Sequence, residues 1–362
     1  MSKYWNKKTN ELVPYVAGEQ PKDGVKVIKL NTNEYPYSPS PACAKVLKEY
    51  DINDLRLYPN TDAQIVREAV ANKFKDYIKP SNVFVGNGSD EVLALCWQAF
   101  YEEKYNSDKK VLVPEISYSF YPVYSQLYDV EIEKVPLKED FSIDPSDYIG
   151  RENGGIAIAN PNAPTSIALD LNDIEKILKA NPEKVVLIDE AYAAFKDEYQ
   201  TAITLVNKYP NLVVVKTLSK AYGLAGLRVG YAVASEELIE GLLRVRDSFN
   251  SYPVDRLAQK VAAAAIDDND YFEENRGKII TTREKITSEL REMGFTVCDS
   301  SANFIFAKPG NLKAGEVYEK LKAMGILVRY FNKPKICDYL RITIGTAEEM
   351  AELVKAMKEV GA

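Results

Sequence analysis

The stretch KTLSKAYGLAGLRVGY, residues 216–231, carries the residues best suited to covalent chemistry in this sequence. Lys220 follows two hydroxyl residues, Thr217 and Ser219, and Arg228 comes eight positions later. A lysine that is partly dehydrated near another cation has a lowered pKa and acts as an amine nucleophile. Such an amine can form a Schiff base with an aldehyde, so Lys220 is the first candidate for a catalytic group.

The sequence contains no histidine, which removes whole classes of mechanism. Ser-His-Asp catalysis, Cys-His catalysis and histidine-ligated metal sites are excluded. The cysteines Cys43, Cys96, Cys298 and Cys337 are far apart and form no C-x-x-C pair, so we expect buried free thiols and no metal site. Acid–base and nucleophilic chemistry must fall to lysine, tyrosine, a carboxylate or a bound cofactor.

The elements that position these groups are short apolar runs that recur between helical segments. The runs lie at 82–88, 110–115, 130–136, 155–161, 184–191, 212–220 and 228–234. Near-continuous Val, Ile and Leu predict strands buried on both faces of a mainly parallel sheet. Because the intervening segments are amphipathic at helical spacing, we predict an α/β fold whose seven-stranded sheet is sandwiched by helices.

The pattern changes after about residue 250. A helical segment at 255–293 is followed by four short strand-like runs, FTVCDS, NFIFAK, ILVRY and LRITIG, and by a last helix. This order predicts a smaller α+β domain. We therefore expect a large domain over 46–250, with residues 1–45 and 251–362 forming an N-terminal arm and the small domain.

Polar residues cluster where the predicted strands end, which is where ligands bind in open α/β sheets. They are Ser89, Asp90, Tyr118, Asn162, Asp189, Tyr192, Ser219, Lys220 and Arg228. Each has a structural explanation on its own, as a turn former, a helix N-cap or a solvated lysine. Together they predict a binding site.

The chemistry of this set matches the needs of pyridoxal 5′-phosphate. Lysine can bond to its aldehyde, and an aspartate can pair with its pyridinium nitrogen. Tyrosine and asparagine can donate hydrogen bonds to its ring oxygen. The stretch VGNGSDE (85–91) lacks the third glycine of a dinucleotide fingerprint, but free amides at a helix start there, with Ser219 and Arg228, can hold a phosphate.

Three motifs resemble those of the class I/II aminotransferases, which have fold type I. SKAYGLAGLRVGY resembles their S-K-x-x-x-x-x-G-x-R motif, NPNAPTS their N-P-N-x-P-T-G segment, and DEAY their D-E-A-Y. Within that family, further stretches resemble the histidinol-phosphate aminotransferases. These are LVPYVAGEQP, LNTNEYPYSPSP, LRLYPN, GNGSDE, ANF and LRITIGT, in the same order along the chain.

The resemblance implies a role for each matching residue. Lys220 would form the Schiff base and move the proton in transamination, Asp189 would meet the pyridine nitrogen, and Tyr192 and Asn162 the ring oxygen. Ser219, Arg228 and the amides of Ser89 and Asp90 would hold the phosphate, and Tyr118 would cover the ring. The substrate would be met by Arg341, Arg329 and Tyr15.

The resemblance also implies a homodimer with shared active sites, in which Tyr58 reaches the cofactor phosphate of the neighbouring subunit. Two positions depart from the family pattern. Ala163 stands where the family often has a second asparagine that carries the ring-oxygen bond, and Ser166 replaces a final glycine. Asn162 or Tyr192 would have to make up for the missing donor.

The charge and hydropathy of the sequence exclude some classes of binding partner. The net charge of −7 without a dense basic run argues against nucleic acid or an anionic membrane as partner. The polar N-terminal stretch has no signal-peptide pattern and the apolar runs are too short to span a bilayer, so we expect a cytoplasmic protein that acts on small molecules.

The predicted reaction is transfer of an amino group between histidinol phosphate and 2-oxoglutarate, in histidine biosynthesis. Aminotransfer from aromatic amino acids and decarboxylation of an O-phospho amino acid remain open, because both would keep Lys220 and Asp189. A cofactor-binding regulator without turnover is a further alternative, although neither end of the chain carries a helix-turn-helix pattern.

Overall fold

The structure is a computed structural model that describes residues 2–16, 18–21, 27–198 and 200–362. The strands are β1 Ile28–Lys29, β2 Val83–Gly86, β3 Val111–Pro114, β4 Ile132–Val135, β5 Gly155–Ala159, β6 Val186–Asp189, β7 Leu212–Thr217, β8 Gly230–Ala234, β9 Thr296–Val297, β10 Phe304–Lys308, β11 Ile326–Leu327, β12 Arg329–Tyr330 and β13 Leu340–Thr343. The α-helices are α1 Lys7–Glu11, α2 Pro41–Glu49, α3 Gln64–Lys73, α4 Gly88–Phe100, α5 Tyr121–Tyr128, α6 Leu171–Ala180, α7 Glu236–Asp247, α8 Arg256–Asp267, α9 Asn269–Glu292, α10 Ala314–Ala323 and α11 Ala347–Glu359.

Within the described residues, the large sheet has seven strands in the order β2-β8-β7-β6-β5-β3-β4. β7, β6, β5, β3 and β4 are parallel, whereas β8 runs antiparallel to both of its neighbours. Each strand falls inside one of the seven apolar runs, so the predicted mainly parallel seven-stranded sheet is confirmed.

Both faces of this sheet are covered, which explains why its strands read as continuous apolar runs. Along β7, Leu212 and Val214 pack into the core on one face, while Val213 and Val215 pack into the core on the other. Successive strand side chains point to opposite faces, so every residue of β7 must be apolar or hydrogen-bonded where both faces are buried.

A smaller antiparallel sheet follows in the order β12-β13-β10-β9, and β11 pairs with β1 in a separate parallel pair. The predicted run ILVRY therefore divides between two sheets. The helical segment predicted at 255–293 is likewise two helices, α8 and α9. It breaks at Asp268, because this side chain accepts the Tyr271 N–H at 3.3 Å and caps α9.

The division into two domains remains a prediction. The buried residues of α8, among them Ala258, Val261 and Ala265, share one core with Val66 and Val70 of α3 on a face of the large sheet. The small sheet has a core of its own with α9, α10 and α11. In the part of the chain that the structure describes, no helix is both long and apolar enough to cross a membrane.

Candidate active site

One cavity, of about 240 Å³, lies where β5, β6 and β7 end. Eleven of the thirteen predicted site residues line it: Tyr15, Ser89, Asp90, Tyr118, Asp189, Tyr192, Ser219, Lys220, Arg228, Arg329 and Arg341. The parallel strands bring the middle of the chain to this edge, and β12 and β13 add residues from near the C-terminus. The fold therefore assembles nearly the whole predicted set in one place.

Asp189 is the last residue of β6, level with Ala159 of β5 and Val215 of β7. Its side chain is buried, and its carboxylate accepts hydrogen bonds from the Ala191 N–H at 3.2 Å and the Tyr121 hydroxyl at 3.5 Å. Burial raises the pKa of Asp189 to about 7, and nearby carboxylates add to this effect. A cationic N–H donor in the cavity would compensate the ionised carboxylate.

Lys220 lies on the turn that follows β7. Its Nζ donates a long hydrogen bond of 3.3 Å to the Thr32 carbonyl and lies 5.7 Å from the centre of the Tyr192 ring. The turn is closed by a hydrogen bond from the Gly223 N–H to the Lys220 carbonyl. The amine therefore points into the cavity, where a ligand can reach it.

The N-terminus of α4 and the guanidinium of Arg228 form a compact cationic corner. A Cβ at Gly88, whose φ is +79°, would lie 2.5 Å from Nη2 of Arg228, and a Cβ at Gly230 would lie 2.4 Å from the Ser89 nitrogen. Glycine is therefore required at both positions for this close approach. Free helix amides, a guanidinium and the Ser219 hydroxyl together suit a phosphate group.

Tyr118 is tied to this corner through the side chain of Asp90. The Tyr118 hydroxyl donates to Oδ1 of Asp90 at 2.6 Å, and Nη2 of Arg228 donates to Oδ2 at 3.3 Å. Burial, with the adjacent Asp90 charge, raises the pKa of Tyr118 well above its usual value, so the hydroxyl stays protonated and acts as the donor. The aromatic wall and the phosphate corner are thus connected.

Tyr192 follows β6 and packs edge-on against Phe304 of the small sheet, with ring centres 4.9 Å apart. Its hydroxyl oxygen accepts a hydrogen bond of 3.1 Å from Nδ2 of Asn33. Asn33 itself is buried and has a φ of +57°, a conformation that asparagine tolerates better than most residues. The Tyr192 hydroxyl is therefore held from the side of the small sheet.

Two arginines on neighbouring strands face the same cavity, since Arg329 of β12 pairs directly with Arg341 of β13. Nη2 of Arg341 donates to the Asn31 carbonyl at 2.9 Å, whereas its buried Nε has no hydrogen-bond partner among the described residues. Burial lowers the pKa of Arg341, and the charge of Arg329 lowers it further. A buried guanidinium with a free N–H predicts an anionic ligand.

Two predicted residues lie outside the cavity. Contrary to expectation, Asn162 does not reach it, because its amide donates to the Ile116 carbonyl at 2.8 Å and the Thr165 hydroxyl at 3.0 Å, and its oxygen accepts from Ser117 at 2.8 Å. These bonds to Thr165 of the same turn and to the neighbouring 116–117 segment satisfy the side chain and leave Ala163 on the cavity wall.

Tyr58 lies in a separate surface recess, 77% exposed and stacked on Tyr252 with ring centres 4.7 Å apart. This position agrees with an expectation that it acts in another subunit, but does not test it.

Sequence reasoning assigned no role to five polar residues that line the cavity, namely Asn31, Thr32, Asn33, Glu34 and Thr217. The first four belong to LNTNEYPYSPSP, which was used only as a resemblance. Their signal was weak because polar residues outside helices and strands carry no periodicity. Thr217 stands beside Ser219, and its hydroxyl lies 3.0 Å from that of Ser219, so its hydroxyl type was the available clue.

The residues present fit pyridoxal 5′-phosphate. Lys220 offers an amine, Asp189 a buried carboxylate in need of a cationic donor, and the start of α4 with Arg228 an anion site. Ala159, Ala163, Ala191 and Ala225 line the space between them and leave room for a flat ring. The unpartnered Nε of Arg341 adds a place for a second anion beside that space.

The cofactor, when bound, supplies an aldehyde and an electron-withdrawing ring. Lys220 Nζ would attach it and then move a proton at the substrate carbon, as the nearest amine to the cavity. Asp189 would hold a proton at the ring nitrogen through its carboxylate. The Tyr192 hydroxyl would donate to a ring oxygen, and Arg341 would orient a carboxylate or phosphate of the substrate.

Solved structures share this fold. Histidinol-phosphate aminotransferase from Sinorhizobium meliloti, solved in complex with pyridoxal-5′-phosphate, is similar with a TM-score of 0.87 and 23% identity, covering 99% of this chain and 98% of that one. L-threonine-O-3-phosphate decarboxylase from Porphyromonas gingivalis is similar with a TM-score of 0.77 and 24% identity, covering 92% of this chain and 99% of that one. At these identities, the likeness establishes the fold, and fold type I is confirmed.

Other relatives have a much higher sequence identity to this chain than these solved structures have. Histidinol-phosphate aminotransferase of Acinetobacter baumannii (strain AYE) is 51% identical over 99% of this chain and 97% of its own length. The enzyme of that name from Pseudomonas syringae pv. syringae (strain B728a) is 48% identical over 99% of this chain and its full length. The profile of the family described as Aminotransferase class I and II matches residues 25–357. The chain therefore belongs to the class I and II aminotransferases.

Proposed function

We propose that this pyridoxal-phosphate-dependent aminotransferase exchanges an amino group between histidinol phosphate and 2-oxoglutarate. The observation that carries the proposal is the pair of arginines on one wall, Arg329 and Arg341. The Nε of Arg341 is buried and has no hydrogen-bond partner in the described part of the chain. One pocket must accept a phosphate monoester in one half-reaction and a dicarboxylate in the other. Guanidinium groups suit both anions because each can donate two parallel hydrogen bonds.

A second cavity supports a substrate that is larger than the anion alone. It has a volume of about 580 Å³ and shares part of its wall with the first cavity, including Tyr15, Ala163 and both arginines. The rest of its wall contains apolar side chains such as Ile116, together with two lysines of the 331–336 segment, Lys333 and Lys335. This combination suits a compound with a flat ring at one end and a phosphate ester at the other, and the relatives act on such a compound according to their names.

In this proposal the site residues keep the roles that the resemblance implies. Lys220 binds the cofactor and transfers the proton, Asp189 meets the ring nitrogen and Tyr192 the ring oxygen. The amides at the start of α4, Ser219 and Arg228 hold the phosphate, and Thr217 joins them because its hydroxyl lies beside that of Ser219. Asn162 is left out, since its amide donates to Ile116 and Thr165 instead of facing the cavity.

We also propose a homodimer with shared sites. Tyr58 lies in one recess with the exposed Leu55 and stacks on the exposed Tyr252. A surface of this kind is typical of a protein interface. Equal mixing of a Lys220→Ala protein with a Tyr58→Ala protein tests the shared site, because one of the two sites in a mixed dimer would regain both residues. Activity that does not rise above that of either variant would contradict it. The cytoplasmic location remains a prediction.

A half-reaction panel tests the substrate. The purified protein is loaded with cofactor, and its visible absorbance is followed after addition of histidinol phosphate, phenylalanine, tyrosine or O-phosphothreonine. We expect fast loss of the absorbance with histidinol phosphate and its recovery with 2-oxoglutarate. Borohydride reduction, followed by peptide mapping, should find the cofactor on Lys220.

Other outcomes of the panel identify the alternatives. Bleaching by phenylalanine but not by histidinol phosphate would favour an aromatic aminotransferase. Release of carbon dioxide from O-phosphothreonine would favour a decarboxylase. Cofactor binding without turnover of any donor would favour a regulator, and each of these results would replace the proposed substrate.

A further inference from the structure

The wall of the cavity at Ala163 lacks a hydrogen-bond donor at a place where the resembling motif often has an asparagine. Asn162 does not replace it, because its amide nitrogen already donates to the Ile116 carbonyl and the Thr165 hydroxyl. The neighbouring side chain with a hydroxyl is Tyr192, which packs in one apolar cluster with Ala163. The direction of the Tyr192 hydroxyl proton is therefore decisive for a ligand in the cavity.

Asn33 controls that direction. Its backbone N–H donates to the Thr343 hydroxyl oxygen at 3.0 Å, and the Thr343 hydroxyl donates to Oδ1 of Asn33 at 3.1 Å. This pairing turns the amide NH₂ toward Tyr192, whose oxygen accepts from it at 3.1 Å. A hydroxyl has one proton and two lone pairs, so the Tyr192 proton must go to another acceptor.

The backbone of Asn33 is also held firmly. Nδ2 of the buried Asn303 donates to the Asn33 carbonyl at 3.1 Å, and the φ of +57° is one that asparagine, aspartate and glycine adopt readily. Asn33 thus joins β13 and the residue before β10 in the small sheet to Tyr192 beside the large sheet. Its side chain is oriented by its neighbours before any ligand binds.

We propose that Asn33 is a positioning residue, which directs the Tyr192 hydroxyl proton to the ring oxygen of the cofactor and so supplies the hydrogen bond that Ala163 cannot. The inference rests on the proposed role of Tyr192. A hydrogen bond donated to an oxyanion favours its ionised form and lowers the proton affinity of the oxygen and of the lysine nitrogen beside it. Its loss should therefore raise the pH midpoint of the absorbance of the bound cofactor.

Other charged and titratable groups face this corner and set the baseline of that titration. They are Lys220, Asp189, Arg341, Arg329, Tyr118, Tyr15, Glu34, Asp90 and Arg228. None of them donates to the Tyr192 oxygen in the described structure, where the hydrogen bond comes from Asn33. A change at Asn33 can thus be compared with a change at Tyr192 while these groups stay the same.

The sharpest variant is Asn33→Asp. It has nearly the same shape, tolerates the positive φ and keeps an oxygen for Thr343, but it replaces the donor that faces Tyr192 by an acceptor. The Tyr192 hydroxyl would then donate to the new carboxylate, and its proton would turn away from the cofactor. Asn33→Gly keeps the backbone conformation and only frees the hydroxyl, so its effect should be smaller.

The experiment is a titration of the absorbance of the bound cofactor between pH 5 and 10. Borohydride reduction and peptide mapping show that each variant carries the cofactor on Lys220. We expect the midpoint to rise by about 1–2 units in Tyr192→Phe, by at least about 1 unit in Asn33→Asp and by about 0.5 unit in Asn33→Gly. In the Asn33→Asp, Tyr192→Phe double variant, the midpoint should equal that of Tyr192→Phe. Thermal melting of the apoproteins checks that each variant is folded.

Three results would overturn the inference. An unchanged midpoint in Asn33→Asp, or in Asn33→Gly if the aspartate variant fails to fold, would show that Asn33 does not orient the hydroxyl. If Asn33→Asp shifts the midpoint in the Tyr192→Phe background by as much as it does in the parent, that result would assign the effect to the negative charge of the aspartate alone. An unchanged midpoint in Tyr192→Phe would place the hydroxyl away from the ring oxygen. The proposed function fails separately, if the parent protein is not bleached by histidinol phosphate.

Discussion

Replacement of Asp189 by asparagine should make the cofactor-free protein more stable at alkaline pH while it weakens cofactor binding. The carboxyl is buried at the end of β6, and burial raises its pKa from 3.8 to about 7. The native state therefore keeps a proton that the unfolded chain releases above pH 4. The stability that this neutral carboxyl contributes is complete below pH 3.8 and is lost as the pH rises through 7.

The size of the effect follows from the difference between the two pKa values. Three units correspond to about 4 kcal/mol of unfolding free energy at pH 8. Water entry and local relaxation reduce this penalty, so we expect Asp189→Asn to stabilise the apoprotein by about 2–4 kcal/mol at pH 8 and by less than half as much at pH 5. The amide oxygen can still accept from Ala191 and Tyr121, so the hydrogen bonds are kept.

The assay is urea unfolding of the apoproteins from pH 5 to 8.5, with the midpoint of the first transition as the readout. Asp108→Asn, which removes an exposed carboxylate, controls for the loss of one negative charge. Added pyridoxal phosphate should raise the midpoint of the parent more than that of Asp189→Asn, because the stabilisation by a ligand at a given concentration increases with its affinity. A pH profile that stays parallel to that of the parent would refute a buried, destabilising carboxylate.

Further predictions concern the turn, the buried ion pair and the anion site. Ser166 is buried and has a φ of +67°, a conformation that favours glycine. Ser166→Gly should therefore raise the free energy of unfolding by about 0.5–1 kcal/mol, whereas Ser166→Ala, which keeps the Cβ, should not. Urea unfolding of the two variants distinguishes these outcomes. Lys216 and Glu190 form an ion pair of 2.8 Å between side chains that are 8% and 2% exposed. Lys216→Met should therefore lower the unfolding free energy by about 3–5 kcal/mol, and Lys216→Met with Glu190→Gln by clearly less; equal losses would contradict an uncompensated buried charge. Arg341→Lys should raise KM for 2-oxoglutarate by about 10-fold or more with a smaller change in kcat, as measured by steady-state kinetics, because lysine cannot form two parallel hydrogen bonds; an unchanged KM would place the carboxylate elsewhere.

Much of the fold could be predicted because its determinants are local. A strand such as β7 is buried on both faces and must be apolar along its length, so it is visible as a run of Val and Leu. Lys220 and Asp189 could be predicted for a related reason. They directly follow or end such strands, and parallel strands bring their carboxyl ends to one edge.

The position of Asn162 could not be read from the sequence, because it depends on side-chain direction. Asn162 and Ala163 are adjacent in sequence, and only the turn decides which of them faces the cavity. In the folded chain, Ile116, Ser117 and Thr165 satisfy the amide of Asn162, so that amide turns away from the ligand. These partners include residues 45 and 46 positions away, which no local pattern relates to the turn.

The sequence by itself determined the sheet, the family motifs and the identity of the amine and carboxylate, because periodicity and motif spacing are properties of neighbouring residues. Only the tertiary structure decided which polar side chains act on one another across the cavity. Asn33 and Tyr192 are 159 positions apart and meet at 3.1 Å, because Thr343 and Asn303 hold the asparagine from the small sheet. Such a contact depends on the packing of one sheet against the other, and no short stretch of sequence encodes it.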